Sequence, residues 1–224
     1  MSDYIIKQTQ KFNILRFNVG PLGSNLYAIE PLEKDFSRDA VLIDAGGNFD
    51  NVTAVLLSRK RTVKAVLLTH GHFDHVMAAS EFQAAGAKIY LSEQDQKLVS
   101  GDGNLARYFG IHLNKFSADN GLIGGLLQIC GLEIKVIETP GHTAGGRCFL
   151  IENSLFTGDT LMKDSFGRCD FITGDQNALI KSVKSLFDMN EDFIVYPGHG
   201  EQTSLFYERT NNPINNLTEK SVKF

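Results

Sequence analysis

The segment LLTHGHFDH, which ends at His75, places three histidines and one aspartate within six residues, directly after an apolar run. In an extended segment residues i and i+2 point to the same side, so His70 and His72 can face one cation. Asp74 and His75 follow the turn that begins at Gly71 and can face a second cation beside the first. Neutral imidazole and carboxylate are the ligands that zinc and similar borderline metals prefer. The run therefore predicts ligands for neighbouring divalent metal ions.

Other polar candidates also stand where a predicted apolar strand ends. His142 follows VIETPG, Asp159 follows SLFTG, His199 follows IVYPG, and Asp44 follows VLI. Ligand sites in α/β proteins form at strand ends and in the loops beyond them, so these distant residues can meet at one edge. One aspartate carboxylate can bridge two metals about 3.5 to 4 Å apart, as binuclear hydrolytic sites require.

The elements that must position these residues follow from the apolar pattern. Alternating residues in ILRFNVG and NLYAIE, and the run VLID before AGG, predict N-terminal strands. A helix is expected from about Asp50 to Arg59, followed by strand KAVLLT, helix HVMAASEFQAAG and strand KIYLS. The stretch from Gly101 to Gly125, rich in Gly and Asn, predicts a long surface loop that could act as an active-site flap.

The second half of the chain continues the same alternation. Strands are expected at LQIC, LEIKVIE, CFLIE and SLFTGD, then a helix over DQNALIKSVKSLFDM and a last strand at IVYPG. After Gly200 the chain predicts a short helix and a loose end. The strand and helix order indicates the α/β class. With no repeat and no low-complexity linker, we expect a single domain over residues 1–224.

Composition narrows the possible partners. The chain has 224 residues, 42% of them hydrophobic, and a formal charge of −4 without a basic cluster, which argues against nucleic acid. The start, MSDYIIKQTQ, lacks the pattern of a signal peptide, and no apolar run approaches the roughly 20 residues that span a bilayer. The three cysteines have no CxxC spacing, so no disulfide framework is indicated. We therefore expect a cytoplasmic protein with no membrane partner.

The motif HGHFDH resembles the HxHxDH motif of the metallo-β-lactamase superfamily, and the resemblance extends from SNLYAIE and VLIDAGG through TPGHTAGG and FTGDTL to YPGHG. It implies an αββα sandwich, two mixed sheets flanked by helices. It also implies a ligand set for two metals. The first metal would be held by His70, His72 and His142, the second by Asp74, His75 and His199, with Asp159 bridging. Asp44 matches no ligand, and we expect it to orient His72 or His75.

Within this superfamily the segments GDTL, GRCDF, YPGHG and ERTNNP are most similar to the short glyoxalase II-like hydrolases. That similarity implies hydrolysis of a small-molecule thioester such as S-lactoylglutathione by a metal-bridging hydroxide. Two divalent ions are implied, zinc foremost, with iron or manganese as alternatives. Asp74 would be a ligand, or the base if only one metal were bound. The chain ends soon after YPGHG, without the C-terminal helical region of full-length glyoxalase II, which leaves the thiol carrier open.

The resemblance also assigns Arg168, in GRCDF, to the substrate site, since an arginine suits bidentate binding of a carboxylate. The alternative is a surface ion pair between Arg168 and Asp170. His112, isolated in GIHLN, is expected to be unrelated to catalysis.

Two other functions compete with the hydrolase. Persulfide dioxygenases share HxHxDH and GRxDF but use a single iron, which would be held here by His70, His142 and Asp159. The YPGHG segment favours the hydrolase over the dioxygenase. A catalytically silent metal-binding module would have lost ligands, and here every expected position is filled. The oligomeric state and the native metal stay open.

Overall fold

The computed structural model describes residues 5–217, whose strands form two mixed β-sheets. The first sheet has the order β1-β2-β3-β4-β5-β6-β7. Its strands are β1 (Ile5–Gln8), β2 (Phe12–Val19), β3 (Ser24–Pro31), β4 (Asp39–Ile43), β5 (Thr62–Leu67), β6 (Lys88–Leu91) and β7 (Asn120–Gly121). Pairing is antiparallel from β1 to β4 and parallel from β4 to β7.

The second sheet has the order β13-β12-β11-β10-β9-β8. Its strands are β8 (Gly125–Ile129), β9 (Leu132–Glu138), β10 (Arg147–Ile151), β11 (Ser154–Gly158), β12 (Ile194–Pro197) and β13 (Thr203–Ser204). The pair β11 and β12 is parallel, and the other pairs are antiparallel. Parallel strands put their carboxyl ends at one edge, so the segments after β11 and β12 leave the sheet side by side.

Helices cover the outer face of each sheet. They are α1 (Phe49–Ser58), α2 (Phe73–Val76), α3 (Ala79–Ala84), α4 (Glu93–Val99), α5 (Gln176–Phe187) and α6 (Leu205–Asn211). Buried residues of α1 and α3 pack against the first sheet, and those of α5 and α6 pack against the second. The predicted αββα arrangement is confirmed. Among the described helices, none is long and apolar enough to cross a membrane.

The two sheets meet at a shared apolar layer. On β5, Ala65 and Leu67 point into this layer while Val66 points outward toward the helices, because successive side chains of a strand face opposite sides. Tyr27 of β3 lies between the sheets, with its ring centroid 5.3 Å from that of Phe156. The Tyr27 hydroxyl donates to the Pro197 carbonyl at 2.8 Å, so the end of β12 is fixed against the first sheet.

The expected continuous helix over HVMAASEFQAAG is wrong: the chain forms the separate helices α2 and α3. The break has a tertiary cause. The Ala45 N–H donates to the His75 carbonyl at 2.8 Å, and the Ala78 N–H donates to the Ala45 carbonyl at 2.8 Å. The Asp74 carbonyl accepts from the Ser24 hydroxyl at 2.5 Å. These contacts take backbone groups that a continuous helix would use internally.

The stretch from Gly101 to Gly125 is more ordered than its composition predicts. It contains 3₁₀ turns at Asp102–Asn104 and Ala106–Phe109, and it supplies β7. The Phe109 ring lies 5.0 Å from that of Phe73, so this stretch is fastened beside the HGHFDH segment. The short helix expected after Gly200 is α6, and the last seven residues of the expected loose end lie outside the described residues.

Candidate metal centre

The candidate ligands follow strand ends of both sheets and meet at one edge of the sandwich. Their nitrogen and oxygen atoms form three overlapping groups, and within each group the atoms lie within 4.8 Å of one another. The groups are His70, His72 and His142; His70, His75 and Asp159; and Asp74, His75 and His199. His112 is exposed and belongs to none of these groups in the described part of the chain.

In the first group, His70, His72 and His142 are 2%, 3% and 5% exposed. His72 directs Nδ1 toward the centre, 2.9 Å from His142 Nε2. His142 Nδ1 donates instead to the Arg168 carbonyl at 2.7 Å. Because a neutral imidazole carries one proton, this contact leaves the lone pair of His142 Nε2 directed into the group.

Asp44, at the end of β4, orients two further histidines. Its Oδ2 accepts from His75 Nδ1 at 2.9 Å and from the Thr69 hydroxyl at 2.9 Å. Because that hydroxyl donates its only proton to Asp44, its oxygen accepts from His70 Nδ1 at 3.0 Å. Both His70 and His75 therefore direct Nε2 toward the site. Of the two histidines predicted for Asp44, the contact is with His75.

The third group, Asp74, His75 and His199, lies beside the first, and Asp159 lies between them. Asp74 Oδ2 is 3.2 Å from His199 Nε2 and 3.5 Å from His75 Nε2. Asp159 Oδ1 is 3.4 Å from His75 Nε2, while Asp159 Oδ2 is 3.6 Å from His142 Nε2 and 3.7 Å from His199 Nε2. The carboxylate thus lies between the two groups: Oδ2 faces one histidine of each group, and Oδ1 faces His75. This position suits a bridging ligand.

The electrostatics of the site differ between its two halves. Burial, and then the neighbouring His142, lower the pKa of His72 to about 3. For His75, burial alone would lower the pKa, but the charges of Asp74, Asp159 and Asp44 outweigh it and raise the pKa to about 10. The carboxylates therefore favour a positive charge beside His75 Nε2, which a proton or a metal cation can supply.

For Asp74, burial alone would raise the pKa, but His75 and His199 lower it below its ordinary value. Asp74 is therefore an ionised carboxylate with an oxygen available to a cation.

Two buried atoms test whether a metal fits. His70 Nε2 and Asp159 Oδ1 have no hydrogen-bond partner among residues 5–217. Buried polar atoms are nearly always paired, so unpaired acceptors that face a common centre indicate a missing cation rather than a missing donor. The set of imidazole nitrogens and carboxylate oxygens suits zinc, iron or manganese. The residues therefore fit a divalent metal centre.

The glycine in YPGHG is required because the candidate ligands leave no room for a side chain at its position. A Cβ on Gly198 would collide with the Asp159 carboxylate and with the His75 ring. Gly198 therefore allows the chain before His199 to pass directly behind two of the candidate ligands.

Arg168 contributes to the site through its backbone, which sequence reasoning missed. Its carbonyl accepts from His142, whereas its guanidinium is 69% exposed and binds Asp170 through Nε at 2.9 Å and Nη2 at 2.6 Å. The guanidinium carbon also lies 4.7 Å from the centroid of the Phe171 ring, which is 5.5 Å from the His72 ring. The ion pair offered as an alternative is present, and it lies near the candidate ligands.

Two other supporting residues were not predicted. The Thr69 hydroxyl links the Asp44 carboxylate to the His70 ring by two hydrogen bonds. The only sequence feature that could have indicated this role is its position directly before the first histidine. Asp95 is fully buried in α4 and bonds to the loops around the first group. The spacing of Ser92 and Asp95 is that of a helix start, where the Ser92 hydroxyl accepts from the Asp95 N–H at 3.3 Å, and this local signal hid the longer-range contacts.

Several known proteins are similar to this chain in sequence and in fold. The chain is 34% identical over 190 residues to hydroxyacylglutathione hydrolase GloC of Haemophilus influenzae. The alignment covers 81% of this chain and 90% of GloC. Among solved structures, BLEG-1 B3 metallo-beta-lactamase has a TM-score of 0.82 and 29% identity, covering 89% of this chain and 98% of that one. TTHA1623 in a di-iron-bound form has a TM-score of 0.79 and 33% identity, with the same coverage of 89% and 98%.

ETHE1 from Myxococcus xanthus is also similar, with a TM-score of 0.74, 25% identity, and coverage of 89% of this chain and 83% of that one. The family described as the metallo-beta-lactamase superfamily matches residues 19–199, which include every candidate ligand. The chain therefore belongs to the metallo-β-lactamase superfamily.

Proposed function

We propose that this protein is a binuclear metallohydrolase of the glyoxalase II-like type that cleaves a small-molecule thioester such as S-lactoylglutathione. The observation that carries the proposal is the position of Asp159, whose carboxylate lies between the two groups of histidines. Its Oδ2 is 3.6 Å from His142 Nε2 and 3.7 Å from His199 Nε2, and its Oδ1 is 3.4 Å from His75 Nε2. The similarity to the relative named hydroxyacylglutathione hydrolase supports the same choice of substrate.

The ligands follow from the geometry. His70, His72 and His142 would hold one cation, Asp74, His75 and His199 the other, and Asp159 both. Two divalent cations held there would supply Lewis acidity for the carbonyl oxygen and would lower the pKa of water from 15.7 toward about 7. Asp44, Thr69 and the Arg168 carbonyl hold imidazole protons away from the centre, so the nitrogens stay available.

The remaining residues shape the substrate side. A thiolate is a good leaving group, so hydrolysis demands no separate acid from the protein. The Arg168 guanidinium would bind a carboxylate of the thiol carrier, exchanging its contacts with Asp170 for contacts with substrate. The nearby Phe171 ring would form one wall of the pocket for the same part of the substrate.

The test is metal analysis of the purified protein combined with a substrate screen. We expect close to two equivalents of zinc, iron or manganese, and turnover of S-lactoylglutathione or a related thioester. The screen should include a β-lactam, because a structural neighbour is named as a B3 metallo-beta-lactamase. Two equivalents of metal without turnover of any thioester would contradict the substrate assignment while leaving the metal centre intact.

A second candidate is an iron-dependent persulfide dioxygenase with a mononuclear site. The two unpaired buried atoms, His70 Nε2 and Asp159 Oδ1, both belong to the set His70, His142 and Asp159 that would form its triad of two histidines and one carboxylate. One equivalent of iron, with oxygen uptake that depends on glutathione persulfide, would establish this candidate and overturn the hydrolase.

A further inference from the structure

Asp95, in the first turn of α4, is a buried carboxylate that bonds to two separate loops. Its Oδ2 accepts from the Gly71 N–H at 2.8 Å and from the Thr143 hydroxyl at 2.7 Å, and its Oδ1 accepts from the Gly145 N–H at 2.8 Å. The side chain is 0% exposed. Three hydrogen bonds therefore hold one carboxylate that no water reaches.

Among residues 5–217, the burial of Asp95 is balanced by hydrogen bonds rather than by an ion pair. Within residues 5–217, no lysine, arginine or histidine forms an ion pair with it. Burial raises the pKa of Asp95, and the contacts with Thr143, Gly71 and Gly145 oppose that rise. Burying a carboxylate is unfavourable unless its oxygens are satisfied, so this residue depends on the two loops as much as they depend on it.

The hydrogen-bond partners of Asp95 lie next to candidate metal ligands in the chain. Gly71 lies between His70 and His72, and Thr143 directly follows His142. The contacts with Gly71 and Gly145 are made to backbone N–H groups, so they set the positions of whole loops rather than the rotation of one ring. Asp95 thus connects the two loops that carry the three imidazoles of the first group.

The glycine at position 145 allows this connection. A Cβ there would collide with the Ser92 hydroxyl and with the Asp95 carboxylate. The backbone of the loop after His142 therefore lies directly against side chains at the N-terminal end of α4, and a side chain at position 145 would push the two apart.

We propose that Asp95 is a positioning residue for the metal site formed by His70, His72 and His142. It holds the loops of His70 and His72 at the separation from the His142 loop at which three nitrogens can bind one cation. Its side-chain hydrogen bonds go to Gly71, Thr143 and Gly145, whereas Asp44 bonds directly to the candidate ligand His75. This inference rests on the proposed metal centre.

The closing experiment is titration of the metal-free, full-length protein with Co²⁺, followed by visible absorption and by competition with a chelator. Asp95→Asn keeps the shape of the side chain, but its amide nitrogen cannot accept, so at least one donor loses its partner. We expect the affinity of one Co²⁺ equivalent to fall by about 10- to 100-fold, the range for residues that support metal ligands, while the other equivalent is unchanged.

A second pair of variants keeps the inference testable if Asp95→Asn folds poorly. Thr143→Val removes only the hydroxyl contact with Asp95 and should weaken the same Co²⁺ equivalent to a smaller extent. Thr143→Ser keeps the hydroxyl and should restore the affinity of the parent protein. Equal affinities for the valine and serine variants would contradict the inference.

The matched control is Glu30→Gln, at another buried carboxylate. Glu30 is 1% exposed and binds Arg59 at 2.6 Å, and it lies six residues along β3 from Ser24, about 20 Å from the site edge. Glu30→Gln should lower stability without changing either Co²⁺ affinity. If the parent binds two equivalents and Asp95→Asn binds both equally well, the inference fails alone. A parent that binds no Co²⁺ would overturn the metal centre and the inference together.

Discussion

The ligand cluster differs from the rim, which comprises the exposed residues Tyr108, Arg168 and Ile172, in how firmly the chain holds its side chains. His70 and His75 are 2% and 0% exposed, and both are oriented through the buried Asp44. At the rim, Tyr108 is 88% exposed and Ile172 is 72% exposed. The Arg168 guanidinium there has an ion pair only two residues away along the chain.

Under the proposed function, this difference separates the residues that do the chemistry from those that select the substrate. Catalytic groups must be held close to their working geometry, and buried hydrogen bonds achieve that before any substrate arrives. Groups that recognise a substrate can rearrange, because exposed ion pairs are worth only about 0 to 1 kcal/mol. Substitutions in the cluster should therefore affect turnover and metal binding strongly, and substitutions at the rim should affect substrate affinity modestly.

The largest effect is expected from removing a candidate ligand. His72→Ala and Asp159→Ala should each lower kcat/KM for S-lactoylglutathione by at least about 10³-fold, because a lost cation should cost no less than a lost oxyanion donor. Circular dichroism should show an intact fold. His112→Ala, at the exposed histidine outside the cluster, is the control and should keep full activity. Turnover within a few-fold of the parent for His72→Ala would remove that residue from the site.

Asp44→Asn should have the next largest effect. Asparagine tolerates the left-handed backbone of this position, where φ is 63°, so the change tests the side chain rather than the backbone. We expect the loss of an acceptor for His75 and Thr69 to lower metal affinity or activity by about 10- to 100-fold. Asp50→Asn, at an exposed aspartate of α1, is the control. Unchanged metal content and rate would show that Asp44 does not orient the ligands.

At the rim, Arg168→Ala should raise KM by about fivefold with little change in kcat, which corresponds to about 1 kcal/mol for an exposed charge contact. Steady-state kinetics with a glutathione thioester provide the measurement. Asp170→Ala frees the guanidinium from its ion pair, so KM for that variant should not rise. An unchanged KM for Arg168→Ala would remove the arginine from the substrate site.

The smallest effect is expected at Tyr108. Because its side chain is 88% exposed, Tyr108→Ser should change the free energy of unfolding by less than about 0.5 kcal/mol. Phe156→Ala, at a fully buried ring between the sheets, should lower it by about 3 to 5 kcal/mol. Urea denaturation compares the two variants. A large loss for Tyr108→Ser would mean that the rim is part of the core.

The sequence predicted the candidate ligands better than the residues that hold them in position. Histidines and aspartates at strand ends can be recognised in the sequence, because the apolar pattern of a strand stops abruptly, as that of β5 does before His70. The break between α2 and α3 was not visible, since it depends on Ala45, which lies thirty residues from His75. Asp95 was missed for the same reason, because its partners lie 24 to 50 residues away.

The rim was the least predictable region. The Arg168–Asp170 pair was foreseen as one alternative, because its two members are neighbours in GRCDF. The order of the 101–125 stretch was not foreseen, because glycine and asparagine indicate turns without specifying what packs on them. Its anchor is Phe109 on Phe73, a contact between rings 36 positions apart that periodicity does not reveal.

The division of the ligands between the two sheets has a consequence for how the protein matures. His70, His72, Asp74 and His75 follow a strand of the first sheet, whereas His142, Asp159 and His199 follow strands of the second. During synthesis the first four emerge well before the rest, so a nascent chain displays an incomplete set of the candidate metal ligands. The complete set exists only after the sheets dock. Metal that binds the docked form and not the unfolded chain would draw folding toward completion by mass action.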